Sequence, residues 1–565
     1  MTTGDTATGI PSLLGVAESF DEDPDTPELG KALAWTMARS AAHPVDLATA
    51  TLAFAGSLAK LGPATLARIF GISDSVLLSD PGDRRFADVT WQQNPAFFAL
   101  RATYLAACTL GEDVLEAGAG DRVRDPKARL AYRFVADSLA PTNFLLTNPA
   151  ALRRAGETGG RSVVSGAANF VGDLMSNGGR PRQVDNSSFE VGRNLAATPG
   201  KVVFRNDLME LIQYAPQTEQ VHAVPLLAIP PWINKYYVMD LAPGRSFLEW
   251  AVQHERTVFV ISYRNADATM RDVSMDDYLA RGPRAAMDVI GEITGASTVD
   301  LAGLCIGGAM TAMTAAYLAQ EKPARVGSLT LLNTLLDYRD PGALGAFTDE
   351  RSVARLEKQM ARSGFLDGDT MAGTFDALRP NELIFNYVVS NWLLGKDPPA
   401  FDILSWNTDS TRLPARTHGF YLRSLYVKNL LARGELELDG RLLKLGEVTG
   451  DSYVVGAIND HIVPWTASYE ATRLLGGEVR YVLTSGGHIA GIVNPPRPKS
   501  WYEVAEENAA KAADWRSSAT RHVGSWWEDW TGWASGRAGS LVSPPPMGSA
   551  GHPPLGDAPG EYVRS

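Results

Sequence analysis

The stretch VDLAGLCIGGAMTAMTAAYLAQ, residues 299–320, decides the fold. Val299 to Leu304 is a short apolar run of strand length, Gly303-Leu304-Cys305-Ile306-Gly307-Gly308 is a turn, and the Ala- and Met-rich text that follows is helical. A strand, a glycine-bracketed residue and a helix in immediate succession make a G-x-nucleophile-x-G elbow, here with cysteine in the serine position. The nucleophile of such a turn needs an unusual backbone angle, and side chains beside it would collide, which gives the glycines a steric reason. The turn lifts the thiol clear at a helix N-terminus, where N–H groups favour thiolate and stabilise an oxyanion. Ile306 N–H is the expected first donor.

Outward from this point the same pattern repeats. AVPLLAI, residues 223–229, stops at Pro230-Pro231; TVFVIS (257–262), GSLTLL (327–332), Ser452 to Val455 and Val479 to Leu483 are further short apolar runs. Buried strands separated by helix-length connections predict a mostly parallel sheet with helices on both faces. About 120 residues separate Leu332 from Ser452, more than a crossover needs, so an inserted cap is expected over about 340–440. Its pieces IFNYVVSNWLLG and HGFYLRSLYVKNLL read as helices, and an insertion there covers the carboxyl ends of the strands, where such sheets put their ligands.

A nucleophile elbow calls for an acid and then a base farther along the chain. Asp460 follows one late strand, in VVGAINDHIVPW, and His488 follows the next, in VRYVLTSGGHIAG. The expected triad is therefore Cys305, Asp460 and His488, with His488 taking the thiol proton and Asp460 fixing its tautomer and orientation. His461 competes as base, but adjacency to Asp460 leaves it too close to the acid to reach Cys305 independently. A second oxyanion donor is expected from the loop Pro230–Tyr237; prolines have no N–H, which leaves Trp232 or Ile233. The fold class expected is α/β, an α/β-hydrolase fold with an inserted cap and a helical N-terminal domain.

The remaining text sets bounds. The chain has 565 residues and a formal net charge of -12, which argues against nucleic acid as the main partner. Two cysteines make a disulfide framework improbable, and Cys108, inside a helical run, reads as a packed thiol. The other histidines show no metal-ligand spacing, so no metal and no cofactor are expected. The start of the chain does not read as a signal peptide and no apolar stretch is long enough to cross a bilayer, which points to the cytoplasm. The domain expectation is a disordered leader over 1–30, a mainly helical domain over 31–200, a catalytic domain over 201–500, a tryptophan-rich helical extension over 501–534 and a flexible tail over 535–565.

Capture of a thioester by a thiol gives another thioester, which stays energetic enough to acylate an alcohol, and an apolar cap would suppress loss to water. Here GLCIGG, DHIVPW from Asp460, SGGHIAGIVNPP from Ser485, PPWINKYY from Pro230, SYRNADATMRD from Ser262 and FNYVVSNWLLG from Phe385 add up to more than an esterase elbow. With QNPAFFALRATYLA and PTNFLLTNPAALRRAGETGG upstream, the chain resembles the poly(3-hydroxyalkanoate) synthases over roughly residues 80–500, leaning toward the single-subunit, short-chain class I. The resemblance implies polymerisation of (R)-3-hydroxyacyl-CoA through an acyl-enzyme on Cys305 with release of coenzyme A, which is part of the substrate. It also implies a homodimer on polyester granules with granule-associated proteins. The rival readings are a thioesterase or polyester depolymerase using the same triad, an acyltransferase that stops after one transfer, and a non-catalytic granule-binding protein.

Overall fold

The computed structural model describes residues 26–71 and 83–565. The leader expected over 1–30 lies outside the described residues except at its end, where a helix begins at Thr26. The chain divides into two compact units, one reaching to Asp185 and including Gly373–Ala400, the other holding the rest.

The first unit is helical: α1 (Thr26–Ser40), α2 (Pro44–Ile69), α3 (Pro95–Gly118), α4 (Arg124–Ser138), α5 (Pro149–Glu157) and α6 (Arg161–Ser176). α3 starts where it does because Pro95 fits the first turn and the Asn94 carboxamide accepts from the N–H groups of Ala96 and Phe97. The middle of the expected cap belongs here. Ile384, Phe385, Val388 and Trp392 bury one face against Phe134 and Phe170. The Trp392 indole donates to Asp173 at 2.8 Å, and Gly166 has no side chain because a Cβ would strike the Trp392 carbonyl. The expected insertion over 340–440 is thus shared between the units, its middle third drawn to α4 and α6 by that apolar face.

The second unit is built on an 11-stranded sheet. Its strands are β1 (Gly200–Arg205), β2 (Met209–Tyr214), β3 (Leu226–Ile229), β4 (Val258–Tyr263), β5 (Val299–Leu304), β6 (Val326–Leu332), β7 (Ser452–Ala457), β8 (Val479–Thr484), β9 (Trp501–Val504), β10 (Thr520–Val523) and β11 (Gly556–Asp557), in the order β10-β9-β8-β7-β6-β5-β3-β4-β2-β1-β11. The six strands from β8 to β4 run parallel, and those outside them are antiparallel. Every residue of β5 is buried, as a strand covered on both faces requires. The helix after β5, α7 (Ile306–Leu318), is buried along its whole length, which explains why it reads Ala, Met and Thr without a polar face.

Two expectations for the C-terminal region are corrected. Residues 501–534 are not purely helical: β9 and β10 extend the sheet, and only then comes α8 (Trp526–Ser535), whose Trp526, Trp527 and Trp530 are buried. Nor is 535–565 a flexible tail. Leu541–Val542 pairs with Val221–His222, and β11 pairs with β1. The cause lies in β2, which buries Glu210 and Gln213. The Glu210 carboxylate accepts from Glu561 and Tyr562 N–H at 2.9 Å each, and the Gln213 carboxamide donates to Pro546 O and accepts from Gly548 N–H. Buried polar groups must find partners, and the Pro- and Gly-rich tail supplies them from its backbone. Among the described residues no helix is long and apolar enough to cross a membrane.

The Trp526 indole donates to Gly491 O at 2.9 Å and its ring lies 5.0 Å from Phe247. Trp526→Ala is expected to destabilise the fold by about 3–5 kcal/mol, read as a fall in the urea midpoint at unchanged slope.

Candidate active site

Cys305 stands between the end of β5 and the start of α7 with φ of 54°, a conformation non-glycine residues seldom take. Its N–H donates to Leu332 O at 2.8 Å, tying the elbow to the end of β6. The three glycines around it are close-approach positions. A Cβ on Gly303 would meet Thr311 Oγ1, one on Gly307 would meet Ile229 O and Pro230, and one on Gly308 would meet Thr334 Oγ1. The elbow therefore rests directly on the chain leaving β3 on one side and the chain leaving β6 on the other.

His488 follows β8 and Asp460 follows β7, and the two meet: His488 Nδ1 donates to Asp460 Oδ2 at 2.7 Å. The Asp460 carboxyl is fully buried, and its other oxygen accepts from Ile462 and Val463 N–H at 2.9 Å each, so its orientation is fixed by the turn it belongs to. Cys305 is an electrostatic neighbour of the same imidazole. Burial alone would lower the His488 pKa. The Asp460 carboxylate and the Cys305 sulfur outweigh it and hold the pKa well above the ordinary imidazole value. Asp460 is partnered by His488, the expected base.

The loop after β3 contains Trp232 and Ile233. The Thr411 hydroxyl accepts from Asn234 N–H at 2.7 Å and donates to Trp232 O at 3.1 Å, so Ile233 sits between two anchored residues. Ile306 opens α7, and its N–H has no carbonyl one turn back within the helix to bond. The contact that excludes a side chain from Gly307 is with Ile229 and Pro230, at the start of the loop that carries Trp232 and Ile233.

Residues that sequence reading passes over complete the site. Asn333, fully buried with φ of 42°, donates from Nδ2 to His488 O at 2.5 Å, while its N–H donates to Val455 O at 2.8 Å. Its place directly after β6 is the only clue in the text. Tyr338, Tyr421 and Tyr426 form a ring cluster with centroids 4.7–6.3 Å apart. Burial raises all three, and Cys305 adds to the effect, so they remain protonated donors. His418, buried beside Tyr421, is pushed down by burial to about 4 and is neutral. Cys108 is half-buried on α3, and burial raises its thiol, which fits a packed and unreactive group.

Comparison with known proteins gives the relatives of the chain. The family model described as poly-beta-hydroxybutyrate polymerase (PhaC) N-terminus matches residues 82–251, and the alpha/beta hydrolase fold matches residues 232–495. The poly(3-hydroxyalkanoate) polymerase of Methylorubrum extorquens is 42% identical over 90% of this chain and 85% of that protein. Poly(3-hydroxyalkanoate) polymerase 2 of Ectopseudomonas oleovorans is 41% identical over 93% of the chain and 92% of its own length. The polymerase subunit PhaC of Cupriavidus necator is 42% identical over 86% and 83%.

Because the His488 pKa is raised on folding, its contribution to stability is complete below the unfolded value and is lost as pH rises through the folded value. Asp460→Asn is expected to lower the His488 titration midpoint, followed by NMR of the labelled imidazole. It should cost more stability at about pH 6 than at about pH 9.

Proposed function

The chain belongs to the poly(3-hydroxyalkanoate) polymerase family, and from that premise we propose that it polymerises (R)-3-hydroxyacyl-CoA, with (R)-3-hydroxybutyryl-CoA as the preferred unit, through an acyl-enzyme on Cys305. The observation that carries the reading is the buried His488–Asp460 pair beside a cysteine held at a positive-φ elbow. The short-chain preference is supported by the GLCIGG and DHIVPW text.

In the first half-reaction the Cys305 proton passes to His488 and the sulfur attacks the thioester carbonyl. The carbonyl oxygen, negative in the tetrahedral intermediate, is stabilised by Ile306 N–H together with Trp232 or Ile233 N–H. The bond to the coenzyme A sulfur breaks, the leaving thiolate takes the proton from His488, and the acyl group stays on Cys305. In the second half-reaction His488 takes the proton of a 3-hydroxyl, whose oxygen attacks the acyl-cysteine. An ester forms, the C–S bond to Cys305 breaks, and the proton returns from His488 to sulfur. Asp460 balances the imidazolium charge in both halves and keeps Nδ1 protonated, so that the other ring nitrogen faces the reacting atoms.

Coenzyme A enters with the substrate and leaves as product, so no separate cofactor is required. We assign the enzyme to the cytoplasmic face of polyester granules, as a homodimer with granule-associated proteins, on family resemblance.

Purified wild type incubated with (R)-3-hydroxybutyryl-CoA is expected to release coenzyme A in step with growing polyester, while Cys305→Ala releases none above background. Free 3-hydroxybutyrate as the sole acyl product would favour a thioesterase and sink the polymerase assignment.

A further inference from the structure

Cys305, Trp232 and Tyr263 occupy neighbouring positions along one edge of the sheet. Cys305 follows β5, Trp232 follows β3 beside it, and Tyr263 ends β4 beside that. All three stand at the carboxyl ends of parallel strands, and they run away from β7 and β8, which carry Asp460 and His488.

Trp232 is 3% exposed and Tyr263 is 8% exposed, yet Trp232 Nε1 and the Tyr263 hydroxyl have no hydrogen-bond partner among the described residues. Their rings meet edge to face, with centroids 6.1 Å apart. Trp232 also contacts Tyr421, centroids 6.4 Å apart, and Tyr421 lies within the electrostatic reach of Cys305. A buried donor left unpaired destabilises a fold, whereas phenylalanine at position 263 would fill the same space without that penalty. Two such donors in one row, starting beside the nucleophile, suit a ligand that brings its own acceptors. Strands in a sheet are roughly 5 Å apart, close to the length of one hydroxyacyl unit, so successive oxygens of an acyl chain match the row.

We propose that Trp232 Nε1 and the Tyr263 hydroxyl donate to carbonyl or hydroxyl oxygens of the acyl chain bound at Cys305, which then lies across the ends of β5, β3 and β4, on the side of the nucleophile away from His488. This rests on the acyl-cysteine reading above and adds a binding track to it. The oxygens belong either to the incoming thioester or to the chain already made, and the kinetics distinguish the two.

The test uses the full chain and (R)-3-hydroxybutyryl-CoA, comparing Tyr263→Phe and Trp232→Phe with wild type and Cys305→Ala. Tyr263→Phe removes one oxygen and keeps the ring. It is expected to hold or raise Tm while lowering kcat/KM for coenzyme A release by roughly five- to tenfold. A loss already present in the first turnover assigns the donors to the incoming thioester. A normal first turnover with slowed elongation and shorter polyester assigns them to the growing chain. Wild-type kinetics and polymer length in both phenylalanine variants overturn the proposal, whichever way Tm moves. Retained coenzyme A release by Cys305→Ala would instead sink the acyl-cysteine reading, and the track with it.

Discussion

Everything at this site follows from how closely the backbone packs around Cys305. A residue at φ of 54° stays in place only if its surroundings hold it, and here they do so by contact on both sides. Gly307 lies against the end of β3, and Gly308 against Thr334 beyond β6. The central position of β5 thus has a chemical meaning. One neighbouring strand end leads into the loop of Trp232 and Ile233, and the other brings Asn333, which holds the backbone of His488. Adding a single Cβ at the turn would push both away.

His488 is held as firmly as Cys305. Asp460 engages its ring, Asn333 its carbonyl, and the segment just after it is bonded by two indoles: Trp526 to Gly491 O and Trp527 to Ile492 O at 3.0 Å. α8, which carries those indoles, is itself anchored by Asp529 between Arg480 and the Tyr453 hydroxyl, and by Trp530 to Thr330. An imidazole that takes up a proton inside an apolar setting needs such restraint, because small movements away from the carboxylate would leave a buried charge without compensation.

Much of this was legible in the sequence where the determinants are local. The elbow is spelled out in six residues, the six parallel strands announce themselves as apolar runs, and strand order delivers Asp460 and His488 in the right sequence. β3 came out shorter than AVPLLAI because Ala223 and Val224 donate their N–H groups to Ser540 and Ala538 instead of joining the ladder. What escaped depends on distant partners. Tyr338, Tyr421 and Tyr426 come from separate turns of a long insertion and acquire meaning only beside Cys305. The tail from residue 535 has the composition of a linker, and nothing near it in the chain reveals that Glu210 and Gln213 need its backbone. The division of the insertion was hidden for a similar reason, since the apolar face around Trp392 could have joined either unit on pattern alone.

The indole clasp on the residues after His488 also sets an order of events during synthesis. A nascent chain carries Cys305 well before it carries Trp526 and Trp527, and until those tryptophans leave the ribosome the histidine loop lacks the bonds that seat it. The seating of His488 is in this way deferred until α8 has been made.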